Sequence, residues 1–106
     1  MRLRAAFALA GLALCAAGCG PIQSTSIIMD ADTQLEAARA ADASRYAPYE
    51  YTLATAYLHK ARELEGYADY EVCIDFAQKA LNNAKKARDL SVEHVKEQGV
   101  NAQPLP

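Results

Sequence analysis

The chain has one uncharged apolar run near its start and a longer region in which apolar residues recur at helical spacing. The apolar run covers residues 5–14 and contains only Ala, Leu, Phe and Gly. Residues 30–98 are rich in Ala, Leu, Glu, Lys and Gln, which favour helix, and no segment alternates apolar and polar residues for long enough to indicate a strand. The pattern therefore predicts an all-α protein.

Proline and glycine divide the helical region into three predicted helices. Helix one is expected over residues 30–46, because Pro48 disfavours helix at the residue before it. Helix two should begin at Pro48, since proline is favoured in a first helical turn, and should end before Gly66, a candidate C-cap. Helix three should begin near Asp69, a good N-cap, and continue to Gln98. We predict a small antiparallel three-helix bundle with a long third helix.

Each predicted helix has one face of small or apolar side chains. The faces are Ile28, Ala31, Leu35, Ala38 and Tyr46 on helix one, Tyr49, Leu53, Tyr57, Ala61 and Leu64 on helix two, and Cys73, Phe76, Ala77, Ala80, Ala84 and Ala87 on helix three. Alanine lets helix axes approach closely but buries little area, so a modest core is expected.

Two features of the helical region could form a partner surface. Helix three should extend about 16 Å past helix two at 1.5 Å per residue. Its far end, which includes Leu90, His94 and Val95, would pack on helix one, fray or dock on a partner. All six tyrosines lie between residues 46 and 70. Tyrosine is enriched at interfaces, so Tyr51 and Tyr67 are candidate contact residues; the favoured alternative is that the other tyrosines fill the core and these two are half exposed.

The first nineteen residues have the order of an export signal. Arg2 and Arg4 precede the apolar run, which at ten residues suits a signal peptide and is too short to span a membrane. The run is followed by small residues and Cys19, an ending that resembles the lipobox of bacterial lipoproteins. That resemblance implies cleavage after residue 18 and lipidation of Cys19. The alternatives are an ordinary secretory signal, or lipidation at Cys15, where the preceding leucine is unfavourable.

Cleavage after residue 18 would leave 88 of the 106 residues as the mature chain. Loss of the two signal arginines leaves 9 basic and 13 acidic residues, a net charge of −4, which argues against nucleic acid as a partner. Residues 19–29 are predicted to be a flexible tether, because six of the eleven are Gly, Pro, Gln, Ser or Thr, and residues 99–106 a disordered tail. Residues 30–98 would then be the folded domain.

No catalytic or metal-binding pattern is visible. His59 and His94 have no second ligand at metal-site spacing, and the chain has no Gly-rich phosphate loop and no CxxC pair. Cys73 would remain as an unpaired packing residue. We therefore expect no enzymatic activity and no cofactor.

Residues 70–81, which read Tyr-Glu-Val-Cys-Ile-Asp-Phe-Ala-Gln-Lys-Ala-Leu, resemble the second helix of a tetratricopeptide repeat. Ala54, Tyr57, Lys60 and Ala61 resemble its partner helix. The chain lacks tryptophan, and only one unit is visible, whereas arrays need about three. The resemblance implies one TPR-like hairpin.

As a whole, the sequence resembles a family of small bacterial lipoproteins with an uncharacterised Ala-rich helical domain. The most specific stretch lies between Tyr46 and Glu71. Gly20, in place of the aspartate that retains lipoproteins in the inner membrane, resembles the outer-membrane class facing the periplasm. We expect an adaptor that is anchored by lipid on Cys19 and contacts another cell-envelope protein. The alternative is a structural lipoprotein that self-associates into homo-oligomers.

Overall fold

A computed structural model describes the backbone of residues 2–102, and their side chains except at residues 12–19 and 100–102. Over this range the chain forms four helices and no strand, which confirms the all-α prediction. The helices are α1 (Arg2–Ala40), α2 (Ala43–Tyr46), α3 (Pro48–Gly66) and α4 (Tyr70–Ala102). The side chain of Cys19 and residues 103–106 of the predicted tail lie outside the described residues.

The two later helices begin where their sequence signals predict. α3 begins at Pro48, and α4 begins at Tyr70, directly after Asp69. Gly66 is the last residue of α3 rather than its cap, and α4 continues to Ala102 instead of ending at Gln98. One glycine inside a helix costs only about 1 kcal/mol relative to alanine, so Gly99 does not stop α4. The predicted disorder of residues 99–102 is therefore corrected to helix.

The predicted tether differs most from the structure, because residues 19–29 continue α1 as helix. Ser24 is fully buried, and its Oγ donates a hydrogen bond to the carbonyl oxygen of Pro21 at 3.0 Å. Thr25 Oγ1 donates to Glu65 Oε1 at 2.6 Å. Hydroxyl side chains favour a linker when they have no partner in the fold. Here they are paired with the helix backbone and with α3, which offsets the free-energy cost of burying a polar group.

Predicted helix one also ends earlier than expected, at Ala40. Asp42 adopts a left-handed backbone conformation with φ of 62°, and its N–H donates to the Arg39 carbonyl oxygen at 3.0 Å. Aspartate tolerates this conformation better than most residues, so the chain turns there without glycine. The short helix α2 follows and leads into α3.

The contacts between helices define the topology. Ser24 and Thr25 of α1 meet Glu65 near the end of α3, whereas Arg39 of α1 meets Tyr51 near its start. α1 and α3 are therefore antiparallel. α1 is parallel to α4, because Gly20 lies against Tyr70 and Gln34 pairs with Arg88 further along both helices.

Among the residues whose side chains the structure describes, the core consists of two hydrophobic clusters along these interfaces. The larger contains Ile28, Ala31, Leu35, Ala54, Leu58, Ala61, Cys73, Ala77, Ala80, Leu81 and Ala84, and the smaller contains Ala38, Ala43, Ala47 and Ala87. The faces predicted for helices one and three contribute most of their buried positions.

The predicted face of helix two is rotated in the structure. Tyr49, expected in the core, is 71% exposed, and the buried residues of α3 are Ala54, Leu58 and Ala61. Tyr51 begins this row at helical spacing and packs against both clusters. Two alanines in the row allow close approach to α4, which the larger side chains of the predicted face would prevent.

The molecule is elongated, with extents of 83 × 29 × 14 Å. All side chains of residues 2–11 are exposed at one end, including Leu3, Phe7 and Leu9. Residues 92–99 of α4 are exposed at the other end. Among the described residues, no helix is long and apolar enough to cross a membrane.

Candidate functional site

The last third of α4 forms one wall of an open groove. α4 has 33 residues and α3 has 19, so α4 is longer by about 21 Å. Beyond Ser91, which is buried, α4 has no α3 surface to cover it, and Val92 and Val95 remain 37% and 47% exposed. The apolar residues that the sequence placed in the projecting end of the third helix are thus accessible.

The end of α1 and the α1–α2 turn form the opposite wall. The groove has a volume of about 540 Å³ and is lined by Ala37, Ala40, Ala41, Asp42, Tyr46, Val92, Val95 and Lys96. One wall is built from alanine, which leaves room for the backbone of an incoming helix, and the other from valine. Asp42 and Lys96 place one carboxylate and one ammonium group at the rim. The lining therefore suits the apolar face of a helix or peptide.

Tyr46 holds the groove together. Its ring lies 4.5 Å from the ring of His94, and its hydroxyl group donates to Gln98 Oε1 at 3.1 Å. The guanidinium carbon of Arg45 lies 5.4 Å from the centre of the same tyrosine ring. These contacts hold α2 against the far end of α4, where Tyr46 also lines the groove.

The predicted partner-surface residues lie in two separate places. Val95 lines the groove, and His94 lies under Tyr46 beside it. Leu90 is 41% exposed one turn nearer the core on α4. Tyr67 lies at the other end of the molecule, after α3, and is 78% exposed. The structure therefore does not bring Tyr67 together with the α4 residues.

Tyr51 is closer to the core than a contact residue would be. It packs between the two clusters, and its hydroxyl oxygen accepts a hydrogen bond from Arg39 Nε at 3.1 Å. The Tyr51 hydroxyl, with Glu36 beside it, raises the pKa of Arg39 above its ordinary value. Tyr51 thus ties α1 to α3, and removing it would disturb the fold as well as any surface.

Among the lining residues whose side chains are described, Val95 is the one that belongs to the predicted partner surface, and Tyr46 is the missed residue with the most contacts to α4 side chains. The helical spacing of α4 could have indicated this residue, because the row of buried Ala84, Ala87 and Ser91 is continued at the same spacing by the exposed polar residues His94 and Gln98. Such a polar continuation of a packed row indicates a polar or aromatic covering residue. Tyr46 supplies the covering residue through its ring and hydroxyl group.

A buried polar cluster lies at the opposite end of the bundle. Cys73 has no exposed surface, and its thiol donates to the carbonyl oxygen of Ala61 at 3.2 Å. Burial raises the pKa of the Cys73 thiol, and the charge of Glu65 raises it further. A thiol held in its neutral form is a weak nucleophile. Among the described residues, no three His, Cys, Asp or Glu side chains are grouped as metal ligands would be.

The fold is an elongated helical domain with an accessible apolar groove at one end. Residues 28–102, which include α2, α3, α4 and the later part of α1, match the DUF4398 family, a domain of unknown function. The chain belongs to this family, and the predicted resemblance to an uncharacterised small-domain family is confirmed. No curated protein and no solved structure shows a significant match to the chain.

Proposed function

We propose that the protein is a lipid-anchored periplasmic adaptor that presents a helical surface to another cell-envelope protein. In this proposal an export signal is removed and lipid on Cys19 holds the protein at the outer membrane. The mature body is an antiparallel bundle of α1, α3 and α4, in which α3 and α4 form a TPR-like hairpin. The groove between the end of α1 and the end of α4 is the binding surface.

The observation that carries the adaptor role is the groove itself. Its walls are apolar and accessible to solvent. A small bundle with few large core residues would be more stable if these walls were covered, so their exposure suits a binding surface. Tyr46 and His94 hold the two walls at a fixed separation instead of closing them. A preformed groove lowers the ordering cost of binding a partner helix.

The position of Pro21 supports cleavage before Cys19. In the uncut chain Pro21 lies inside the 39-residue helix α1, where it cannot donate a backbone hydrogen bond to the carbonyl of residue 17. Cleavage after residue 18 removes that carbonyl and leaves Pro21 in the first helical turn, where proline is favoured. The mature helix thus loses the cost of an internal proline. Mass spectrometry of the mature N-terminus tests this step directly.

The groove is tested by a charge placed on its valine wall. Val95→Glu should reduce photo-crosslinking of the full chain to its envelope partner in intact cells about tenfold or more, because it buries an unpaired carboxylate in the interface. Val72→Glu is the matched control, since Val72 is also on α4 and is 41% exposed, at the other end of the helix. Equal crosslinking of both variants and the parent would exclude the groove as the binding surface.

A second candidate function is self-association. The same exposed α4 residues, Leu90, Val92 and Val95, could pair with another copy of the chain. In this case the crosslinked product would have twice the mass of the chain, and Val95→Glu would convert it to monomer. Helicity that is independent of concentration, with no such product, would exclude self-association.

A further inference from the structure

The residue that follows Cys19 is already packed in the bundle. Gly20 is half-buried, and a Cβ atom added to it would lie 3.6 Å from Cβ of Tyr70, the first residue of α4. A side chain at position 20 would thus touch Tyr70, which shows that α1 runs close beside the start of α4. No free chain therefore separates position 19 from the folded body.

The next turn of α1 is fixed to the end of α3. Thr25 Oγ1 donates a hydrogen bond to Glu65 Oε1 at 2.6 Å, and Ser24 Oγ lies 3.4 Å from the same oxygen. Ser24 is also fully buried, so moving this turn away from the bundle would expose the Ser24 side chain to water. Two independent anchoring contacts, one to α4 and one to α3, thus lie within six residues of Cys19.

We propose that the bundle is mounted directly on the bilayer through its α3–α4 turn, with Tyr67 in the headgroup region. The proposal rests on the proposed lipidation of Cys19, because acyl chains on that residue would enter the membrane beside this turn. In this arrangement the bundle touches the membrane, whereas a flexible tether over residues 19–29 would hold it at a distance. The bound surface is a lipid bilayer, and no second protein is needed to orient the bundle.

The chemistry of this end specifies the kind of bilayer. Tyr67 is 78% exposed, and a tyrosine ring with a polar tip is suited to the membrane–water interface. Ile22, on the adjacent turn of α1, is 74% exposed and adds apolar surface. Asp69 and Glu71 place negative charge at the same end, so anionic lipids would repel it. We therefore assign the turn to a zwitterionic surface, such as phosphatidylethanolamine.

This mounting has a definite consequence for the groove. Tyr70 and Val95 are 25 residues apart on one helix, which corresponds to about 38 Å along α4. With Tyr70 at the membrane, Val95 is held far from the lipid and faces the aqueous space. The anchored end and the binding end are thus at opposite ends of a stiff rod.

The absence of tryptophan from the chain makes the orientation measurable. Tyr67→Trp and Tyr49→Trp place one indole at each end of α3 in the full lipidated protein, and both parent tyrosines are mostly exposed, at 78% and 71%. The proteins are reconstituted in vesicles of phosphatidylcholine and phosphatidylethanolamine that contain brominated lipid. We expect at least twofold quenching of the indole at position 67 and none at position 49.

Every other outcome of this experiment overturns the proposal. Equal quenching at both positions would mean that the bundle lies flat on the membrane. Quenching at neither position, with acyl chains found on Cys19 by mass spectrometry of the same sample, would mean a flexible stand-off and would leave the proposed lipid anchor intact. A mature N-terminus without acyl chains would remove the anchor itself and the mounting with it. Circular dichroism of both variants checks that their helicity equals that of the parent.

Discussion

At the scale of single residues, Ala68 has a backbone conformation that glycine adopts more easily. Its φ is 60°, and it follows the C-cap of α3. The N–H of Ala68 donates to the Glu65 carbonyl oxygen, and that of Asp69 donates to the Leu64 carbonyl oxygen, both at 3.0 Å. This is the hydrogen-bond pattern of a Schellman motif, in which glycine is usual at the position of Ala68.

Ala68→Gly should therefore stabilise the protein. Relief of the left-handed alanine is worth about 1–2 kcal/mol, and the extra freedom of glycine in the unfolded chain offsets about 0.5–1 kcal/mol. We expect the free energy of unfolding to rise by about 0.5–1 kcal/mol in urea denaturation. Ala56→Gly, at an exposed position inside α3, is the control and should lower it by about 1 kcal/mol. A destabilised Ala68→Gly protein would contradict the assignment of strain to this turn.

Cys73 should make stability depend on alkaline pH. Burial raises its pKa, so the folded state keeps the thiol proton at a pH where the unfolded state has lost it. This stabilisation is complete below the pKa of the unfolded thiol, about 8.5, and is lost as pH rises through the pKa of the folded one. The loss has a limiting slope of about 1.4 kcal/mol per pH unit.

The measurement compares the unfolding free energy of the parent and Cys73→Ala between about pH 7 and pH 10. Other groups titrate in both proteins, so the difference between the two curves isolates the thiol. The parent should lose stability relative to the variant as pH rises. A constant difference across this range would show that the folded and unfolded thiols have the same pKa.

At the scale of elements, the sequence predicts a helix boundary well where the residues that determine it are close to it in the chain. Pro48 and Asp69 act within a turn, and α3 and α4 begin where these residues indicate. The middle of α1, residues 19–29, is predicted as a tether because its helical structure depends on a distant residue: Ser24 and Thr25 contact Glu65, about 40 residues away. No pattern within residues 19–29 contains that information.

The turn between α1 and α2 was missed for a related reason. Asp42 lies in an Ala-rich stretch without proline or glycine, and the local preference is helical. Its left-handed conformation lets Ala43 and Ala47 join Ala38 and Ala87 in the smaller core cluster. Packing of the neighbouring helices thus overrides the local preference.

Tyr46 should control the order of the end of α4. Tyr46→Ala removes the ring contact with His94 and the hydrogen bond to Gln98, which are together worth about 1.4 kcal/mol. Hydrogen exchange at residues 92–98 should become about tenfold faster, because the free energy of local opening falls by that amount. Exchange elsewhere should change little.

Tyr49→Ala is the matched control for this prediction. Tyr49 lies three residues along the chain from Tyr46 and is 71% exposed, so its truncation should leave exchange in α4 unchanged. Equal protection of residues 92–98 in the parent and in Tyr46→Ala would show that α4 is ordered there without α2. The groove would then lack a fixed wall.

At the scale of the whole molecule, the sequence predicted which half of the candidate site projects but not what it meets. The difference in helix length placed Val95 beyond helix two, and the structure agrees. The opposite wall depends on how far α1 extends beside α4, which is a matter of tertiary packing. Tyr67 is a predicted contact residue because tyrosine is enriched at interfaces, a separate argument from helix length, and Tyr70 beside it lies about 38 Å from Val95 along α4.

The parallel pairing of α1 with α4 also governs when the chain can fold. Gln34 and Arg88 are 54 positions apart, so α1 has no complete partner surface until the C-terminal third of the chain is present. The nascent chain therefore stays largely unfolded until its synthesis is nearly finished. If the chain is exported as proposed above, this late folding would keep it unfolded during passage through a membrane channel, because α1 enters before α4 has been made.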